Sequence, residues 1–279
     1  MPFKNNLIRL LVPLVLLAFY CPFLQSANVV NTLTPAMNLT KNKTITIAWT
    51  KPDHAKGTHN YQGFADSFKQ QCEQIEGLKV QTIEGFPKEE AWKKSDLVIL
   101  FMTNRKHTQE MNAIVSRHIE RGGAVMVLHQ ALVVYKGGYK GWADNLGYSY
   151  QLIEKRTSKY GKMDLTLNVD NAHEVTKSLP ETIKTSDELY WELAKGNKGR
   201  TTILASCKIT NDNKTNWPVF WVTEHGKKQE QGRVFVSVLG HYAKLFEQPF
   251  FHNTLLRATA WTLREDFDAF IPLVKADKK

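Results

Sequence analysis

The stretch "ERGGAVMVLHQA", residues 120–131, decides the fold. Gly122 and Gly123 stop whatever precedes them. "AVMVL" is a continuous apolar run, the pattern of a strand buried on both faces. It ends on His129 and Gln130 instead of running into a polar hairpin turn. Upstream, "TQEMNAIVSRHIE" (108–120) has helical spacing, with Thr108 as its N-cap. Before that, "SDLVILF" (95–101) is a second buried apolar run. Strand, helix and strand within about forty residues form a right-handed crossover unit, which needs a parallel sheet.

Extending in both directions repeats the unit. "TITIAWT" (44–50) alternates β-branched residues and reads as a strand. "NYQGFADSFKQQCEQI" (60–75) spaces Phe64, Phe68, Cys72 and Ile75 at helical intervals, and "KVQTI" (79–83) is a short strand. After residue 130 the alternation gives way to strands at "MDLTLNV" (163–169), "TTILASCKI" (201–209), "PVFWVTE" (218–224) and "RVFVSVLG" (233–240). "FFHNTLLRATAWTL" (250–263) closes the chain as an amphipathic helix. The expected architecture is one α/β domain over 44–270, doubly wound on a mostly parallel sheet, with a β-rich insertion. Residues 28–43 are expected as a polar arm and 271–279 as a tail.

The N-terminus reads differently. Lys4 and Arg9 precede the uncharged run "LLVPLVLLAFYCPFL", and Ser26 and Ala27 offer a small-residue cleavage site. This is the pattern of a secretory signal, and Pro13, Pro22 and the shortness of the run disfavour a membrane span. Removing 27 of 279 residues leaves 252, and the loss of Lys4 and Arg9 lowers the net charge from +10 to +8. The expected location is exported, periplasmic or extracellular, with no stable membrane span after cleavage. The lysines are scattered and no arginine-rich run appears, so nucleic acid is not an expected partner. Of the remaining cysteines, Cys72 falls on a helix and Cys207 on a strand. A disulfide and two buried thiols both stay open.

In parallel sheets, ligands bind beyond the carboxyl ends of the strands. The 44–50 strand runs into His54 and His59, the 124–128 strand into His129, and the 233–239 strand into Gly240 and His241. Three strand ends carrying imidazoles point to acid–base or metal chemistry at that edge. "TSDELYWE" (185–192) adds Asp187, Glu188 and Tyr190. It reads either as a turn with an acidic helix start or as site carboxylates beside the histidines. "YKGGYKGWADNLGY" (135–148) holds Tyr139 and Trp142, read either as core plugs or as a sugar-stacking lid. His54 and His59, with His129 or His241 and a carboxylate, would suit zinc or another divalent metal.

With these stretches in hand, the sequence resembles the trehalose-utilisation, or ThuA-like, family. "DHAKGTHNY", "SDLVILF", "IERGGAVMVLHQA", "GGYKGWADNLGY", "SDELYWEL", "WPVFWV" and "GRVFVSVLGHYAKLFEQPFF" occur in family order over 44–263. The resemblance implies a flavodoxin-like fold of the kind shared with class I glutamine amidotransferases. It implies a carbohydrate-related role beside sugar oxidoreductases that make 3-keto sugars. Amidotransferases carry a nucleophilic cysteine in the turn after a central strand. Here that turn offers His129 and Gln130, so thiolate chemistry is rejected. The expected activity is eliminative cleavage or isomerisation of 3-keto glycosides. His129, His241, Asp187 and Glu188 are expected to be catalytic, and His54, His59, Tyr139, Trp142 and Tyr190 to bind substrate. A carbohydrate-binding protein and a metal-dependent hydrolase are the competing classes.

Overall fold

The computed structural model describes residues 38–53, 55–103, 105–136, 138–139, 141–152, 158–209, 212–227 and 231–276. The expected signal segment, residues 28–37 of the expected arm, and His54 lie outside the described residues. The first half of the chain builds β1 (Asn38–Trp49), α1 (Tyr61–Cys72), β2 (Glu76–Glu84), α2 (Glu89–Lys93), β3 (Leu97–Phe101), α3 (Gln109–Glu120) and β4 (Ala124–Leu128). Then follow β5 (Val133–Val134), α4 (Trp142–Leu146), β6 (Tyr148–Gln151), β7 (Lys159–Val169), β8 (Thr182–Trp191), β9 (Ala194–Lys195), β10 (Arg200–Ile209) and β11 (Asp212–Glu224). The chain closes with β12 (Arg233–Ser237) and α5 (Pro249–Leu263).

Local chemistry explains the boundaries. Asn60 caps α1 by accepting from the Gly63 amide, and Thr108 caps α3 by accepting from the Met111 amide. Gly122, at φ 92°, ends the turn after α3 where an L side chain would be strained. Every residue of β3 and β4 is buried, as the unbroken apolar runs require. Phe64, Phe68 and Cys72 form the inward stripe of α1. In contrast, α5 is buried nearly all round rather than amphipathic. It packs on β3, β4 and β12, and a 3-10 segment (Phe267–Leu273) folds over its outer side.

One nine-stranded sheet runs in the order β2-β1-β3-β4-β12-β11-β10-β7-β8. Neighbours from β2 to β12 are parallel, and those from β12 to β8 are antiparallel. The parallel half is the flavodoxin-like core. The antiparallel extension is made by chain lying between β4 and β12, so the β-rich insertion is real and continues the same sheet. Two expected boundaries shift. Residues 38–43 belong to β1 instead of an arm. Past residue 270 the chain stays packed: the His252 ring bonds the Leu273 carbonyl, and Asn253 bonds both the Lys275 carbonyl and its amide.

The segment 185–191 is strand, which corrects the reading of an acidic helix start. β8 pairs with β7 through ten successive positions, so Asp187 and Glu188 fall on opposite faces of a ribbon. That separation gives the two carboxylates different work.

Candidate functional site

β1, β4 and β12 are parallel, so the loops that follow them share one edge. His59 lies in the loop between β1 and α1. His129 directly follows β4, and His241 lies four residues beyond β12. The first and third loops are joined by backbone: the His59 amide donates to the His241 carbonyl at 2.8 Å. β8 brings Glu188 over the same edge. The acceptor or ligand atoms of His59, His129, His241 and Glu188 all lie within 4.8 Å of one another, and all four side chains are buried.

The geometry orients each ring. His129 Nδ1 is 2.7 Å from the Val238 carbonyl, which can only accept, so the proton sits on Nδ1 and the Nε2 lone pair points inward. His59 Nδ1 faces Asp53 Oδ1 at 3.4 Å, which likewise turns its Nε2 lone pair inward. The two Nε2 atoms are 3.1 Å apart, and His241 Nδ1 is 2.9 Å from His59 Nε2. Glu188 Oε2 stands 3.5 Å from His129 Nε2 and 3.6 Å from His241 Nδ1. Lone pairs and a carboxylate facing each other at these distances repel unless a proton or a cation lies between them. Four donors bound at ~2.0–2.1 Å to a tetrahedral zinc lie about 3.3 Å apart, which the observed spacings bracket. Imidazoles with a carboxylate are also a donor set for borderline divalent ions. The four residues can hold a metal ion.

A supporting layer surrounds them. Asp187 is fully buried and points the other way from Glu188. It accepts from the Gly240 amide at 2.7 Å, the His241 amide at 3.3 Å and the Tyr242 amide at 3.2 Å. It therefore fixes the loop that carries His241. Burial pushes its carboxyl up to about 6, against the lowering effect of those amides. The Tyr190 hydroxyl is 3.1 Å from His129 Nε2, and its ring stacks on that imidazole at 4.7 Å. Burial, then the Glu188 carboxylate, hold the Tyr190 phenol well above its ordinary value. Tyr61 stacks on His59 and donates to Gln130, whose amide donates to the Tyr135 hydroxyl at 2.6 Å. Asp53 is tied outward to Arg105 at 3.0 Å.

Two strained backbone positions lie in the cluster itself. His59 and His129 hold φ of 47° and 48°, the left-handed region that non-glycine residues enter at a cost. At Gly240, φ is 137°, and an added Cβ would lie 3.1 Å from His129 Cβ. Only glycine lets this turn pass so close to the imidazole.

The structure thus joins His59, His129, His241 and Glu188, with Tyr190 in contact and Asp187 behind. Trp142 is corrected: it is 1% exposed, donates to the Ala131 carbonyl and packs on His107, so it fills the core instead of facing a sugar. Tyr139 is half-buried in the same loop, with its ring against Gly141. Sequence reasoning passed over Asp53, Tyr61 and Gln130. Asp53 and Tyr61 flank the histidines in "KPDHAKGTHNY", and Gln130 adjoins His129, so proximity to a strand end was their only signal. His118, His225 and His252 bond backbone carbonyls away from the cluster. Cys72 and Cys207 are free buried thiols, without a disulfide.

The trehalose-utilisation (ThuA) family model matches residues 44–262. No curated protein matches the chain in sequence. A crystal structure of a ThuA-like protein from Bacteroides uniformis superposes with a TM-score of 0.59 at 17% identity, covering 80% of this chain and 91% of that one. A ThuA-like protein from Parabacteroides merdae gives 0.58 at 19% identity, with 80% and 90% covered. A GH42 β-galactosidase from G. stearothermophilus gives 0.50 at 13% identity, with 82% of this chain and 31% of that one covered. These likenesses concern the fold. The match across the whole α/β domain settles the family: the chain belongs to the ThuA, or trehalose-utilisation, family, with a carbohydrate-related function.

Proposed function

We propose that the protein is a sugar-processing enzyme acting on keto sugars, with His59, His129, His241 and Glu188 holding a divalent cation such as zinc. The observation that carries this is the convergence of four donor atoms within 4.8 Å above the carboxyl edge of the parallel strands. Bound there, the cation would supply Lewis-acid polarisation of a carbonyl.

On a 3-keto glycoside, the carbonyl acidifies the proton on C2. Glu188 Oε2 lies 3.5 Å from His129 Nε2 and 3.6 Å from His241 Nδ1, and the carboxylate oxygen that does not hold the cation would take that proton. The electron pair passes to the carbonyl oxygen. Its return breaks the C1–O bond, and the proton taken from C2 passes from Glu188 to the departing oxygen, giving an enone and a free alcohol. If the proton returns to C2 from the other side, the outcome is isomerisation. Tyr190 stays protonated at neutral pH and can donate a hydrogen bond to the departing oxygen. In this reading His129 and His241 hold and orient, and Glu188 is the base. The substrate would come from an oxidoreductase that removes hydride from C3. Export through the N-terminal segment would place the reaction outside the cytoplasm.

The test is incubation of metal-loaded protein with 3-keto-trehalose in deuterated water, with and without chelator, read by NMR and mass spectrometry. Deuterium should enter C2, and Glu188→Gln should slow entry on the order of 10²–10⁴-fold. Sugar binding with neither exchange nor cleavage would make the protein a carbohydrate-binding module and end the proposal.

A further inference from the structure

Directly opposed residues of an antiparallel pair place their side chains on the same face. Glu188 is opposed by Lys162, and Tyr190 by Tyr160. The face of the β7–β8 ribbon that delivers Glu188 and Tyr190 to the buried cluster therefore carries Lys162 and Tyr160 beside them. The burial changes abruptly across that pair of strands. Glu188 and Tyr190 are 6% and 4% exposed, whereas Tyr160 is 63% exposed. Cβ atoms of opposed residues are only about 5 Å apart, so the floor passes from the interior to solvent within one strand spacing.

A single exposed tyrosine is ordinary. Two further observations set this one apart. It stands opposite Tyr190 in the ladder, where the His129 ring stacks on Tyr190 and Tyr150 lies 4.9 Å from Tyr190. A second aromatic also stands at the rim. The Tyr242 ring is 4.8 Å from His241, and the Lys162 ammonium lies 5.7 Å from the Tyr242 ring. Lys162 thus lies between an aromatic in water and an aromatic against the cluster.

We propose that Tyr160 and Lys162 form the subsite for a second sugar ring, so that the enzyme prefers a disaccharide over a single keto sugar. The proposal rests on the keto-sugar reading of the cluster. The reacting ring would lie over Glu188 and the next ring on the exposed face of Tyr160. Aromatic faces pair with the C–H faces of a pyranose, and an ammonium donates to its hydroxyls.

Calorimetric titration of metal-loaded protein with 3-keto-trehalose and with 3-keto-glucose tests this without requiring turnover. Tyr160→Ala should weaken disaccharide binding about tenfold and leave 3-keto-glucose within twofold. Tyr160→Phe should stay within twofold for both, because the ring face is kept, and Lys162→Met should weaken the disaccharide alone. Equal loss for both ligands, no loss in Tyr160→Ala, or a parent that does not bind the disaccharide would each overturn the subsite. A parent that binds the disaccharide through Tyr160 but never exchanges or cleaves it would retain the subsite and refute the chemistry.

Discussion

If His59, His129, His241 and Glu188 form a cation site, a cation must stabilise the folded chain. The unfolded chain scatters these residues across positions 59 to 241 and cannot offer them together, so binding free energy becomes folding free energy. At a free cation concentration a hundred times Kd, the gain is about 2.7 kcal/mol. The span 38–276 has 239 residues. At roughly 2.1 cal/mol/K of unfolding entropy per residue, that span changes by about 0.5 kcal/mol per degree, so Tm should rise by about 5 °C. The control is His59→Asn together with His129→Asn. Both positions hold a left-handed backbone, with φ of 47° and 48°, and asparagine tolerates that region better than alanine does. The loss in the variant then reports the missing imidazoles and not new backbone strain. The assay is a thermal melt with zinc, manganese, cobalt or nickel, repeated after chelation. The parent should gain about 5 °C reversibly, and the variant under 1 °C. The gain should shrink as pH falls, because protons compete for the same lone pairs. An unshifted parent for all four ions, or an equal shift in the variant, would refute the reasoning.

Asp53→Asn should lower cation affinity ten- to hundredfold, measured by competition with a chromophoric chelator, because Asp53 holds the His59 ring from behind; unchanged affinity would detach the two. Burial pushes the Cys207 thiol up to about 12 and the Cys72 thiol higher still, so neither is a thiolate at neutral pH, and the pair Cys72→Ser, Cys207→Ser should keep turnover per folded molecule. Loss of turnover in a folded double variant would overturn this. Burial, then Arg121, lower His118 from 6.5 to about 4. Its contribution is present above pH 6.5 and is lost as pH falls towards 4, costing about 3 kcal/mol in full by linkage. Urea midpoints at pH 7 and pH 4 should therefore fall further in the parent than in His118→Gln, and an equal fall would contradict the assignment.

The parts that sequence made legible are those governed by short-range rules. The runs at 97–101 and 124–128 read as strands because burial on both faces tolerates nothing polar. The parallel topology then placed His59, His129 and His241 on one edge without any side-chain contact being known. The rest depended on long-range pairing. Nothing in "TSDELYWE" says that it lies along β7, so the choice between Asp187 and Glu188 stayed open. Pairing resolves it, since period two turns Glu188 to the histidines and Asp187 to the amides of 240–242. Trp142 could not be placed for the same reason: its partner, the Ala131 carbonyl, lies across a loop whose path the sequence does not state. Asp53 was hidden among ordinary loop residues.

The residue after β4 shows how the fold constrains the chemistry. That residue is His129, in a left-handed conformation. A cysteine or serine could adopt the same backbone, so backbone geometry alone does not select histidine. The surroundings do. The Val238 carbonyl, just beyond β12, needs a donor at 2.7 Å, while Tyr190, His59 and Glu188 surround a point on the opposite side of the ring. Imidazole is the side chain that can donate at one ring atom and present a lone pair at another. A thiol there would reach only one of the two. The carbonyl that orients His129 comes from the segment just after β12 that also delivers His241, and Gly240 keeps the path between them clear of a Cβ. Gly240→Ala should therefore disturb both imidazoles at once. Cation affinity in that variant should fall by more than in Asp53→Asn, which touches one ring. Metal titration of the two variants side by side checks this, and a Gly240→Ala protein that binds the cation like the parent would show that the turn does not set the site.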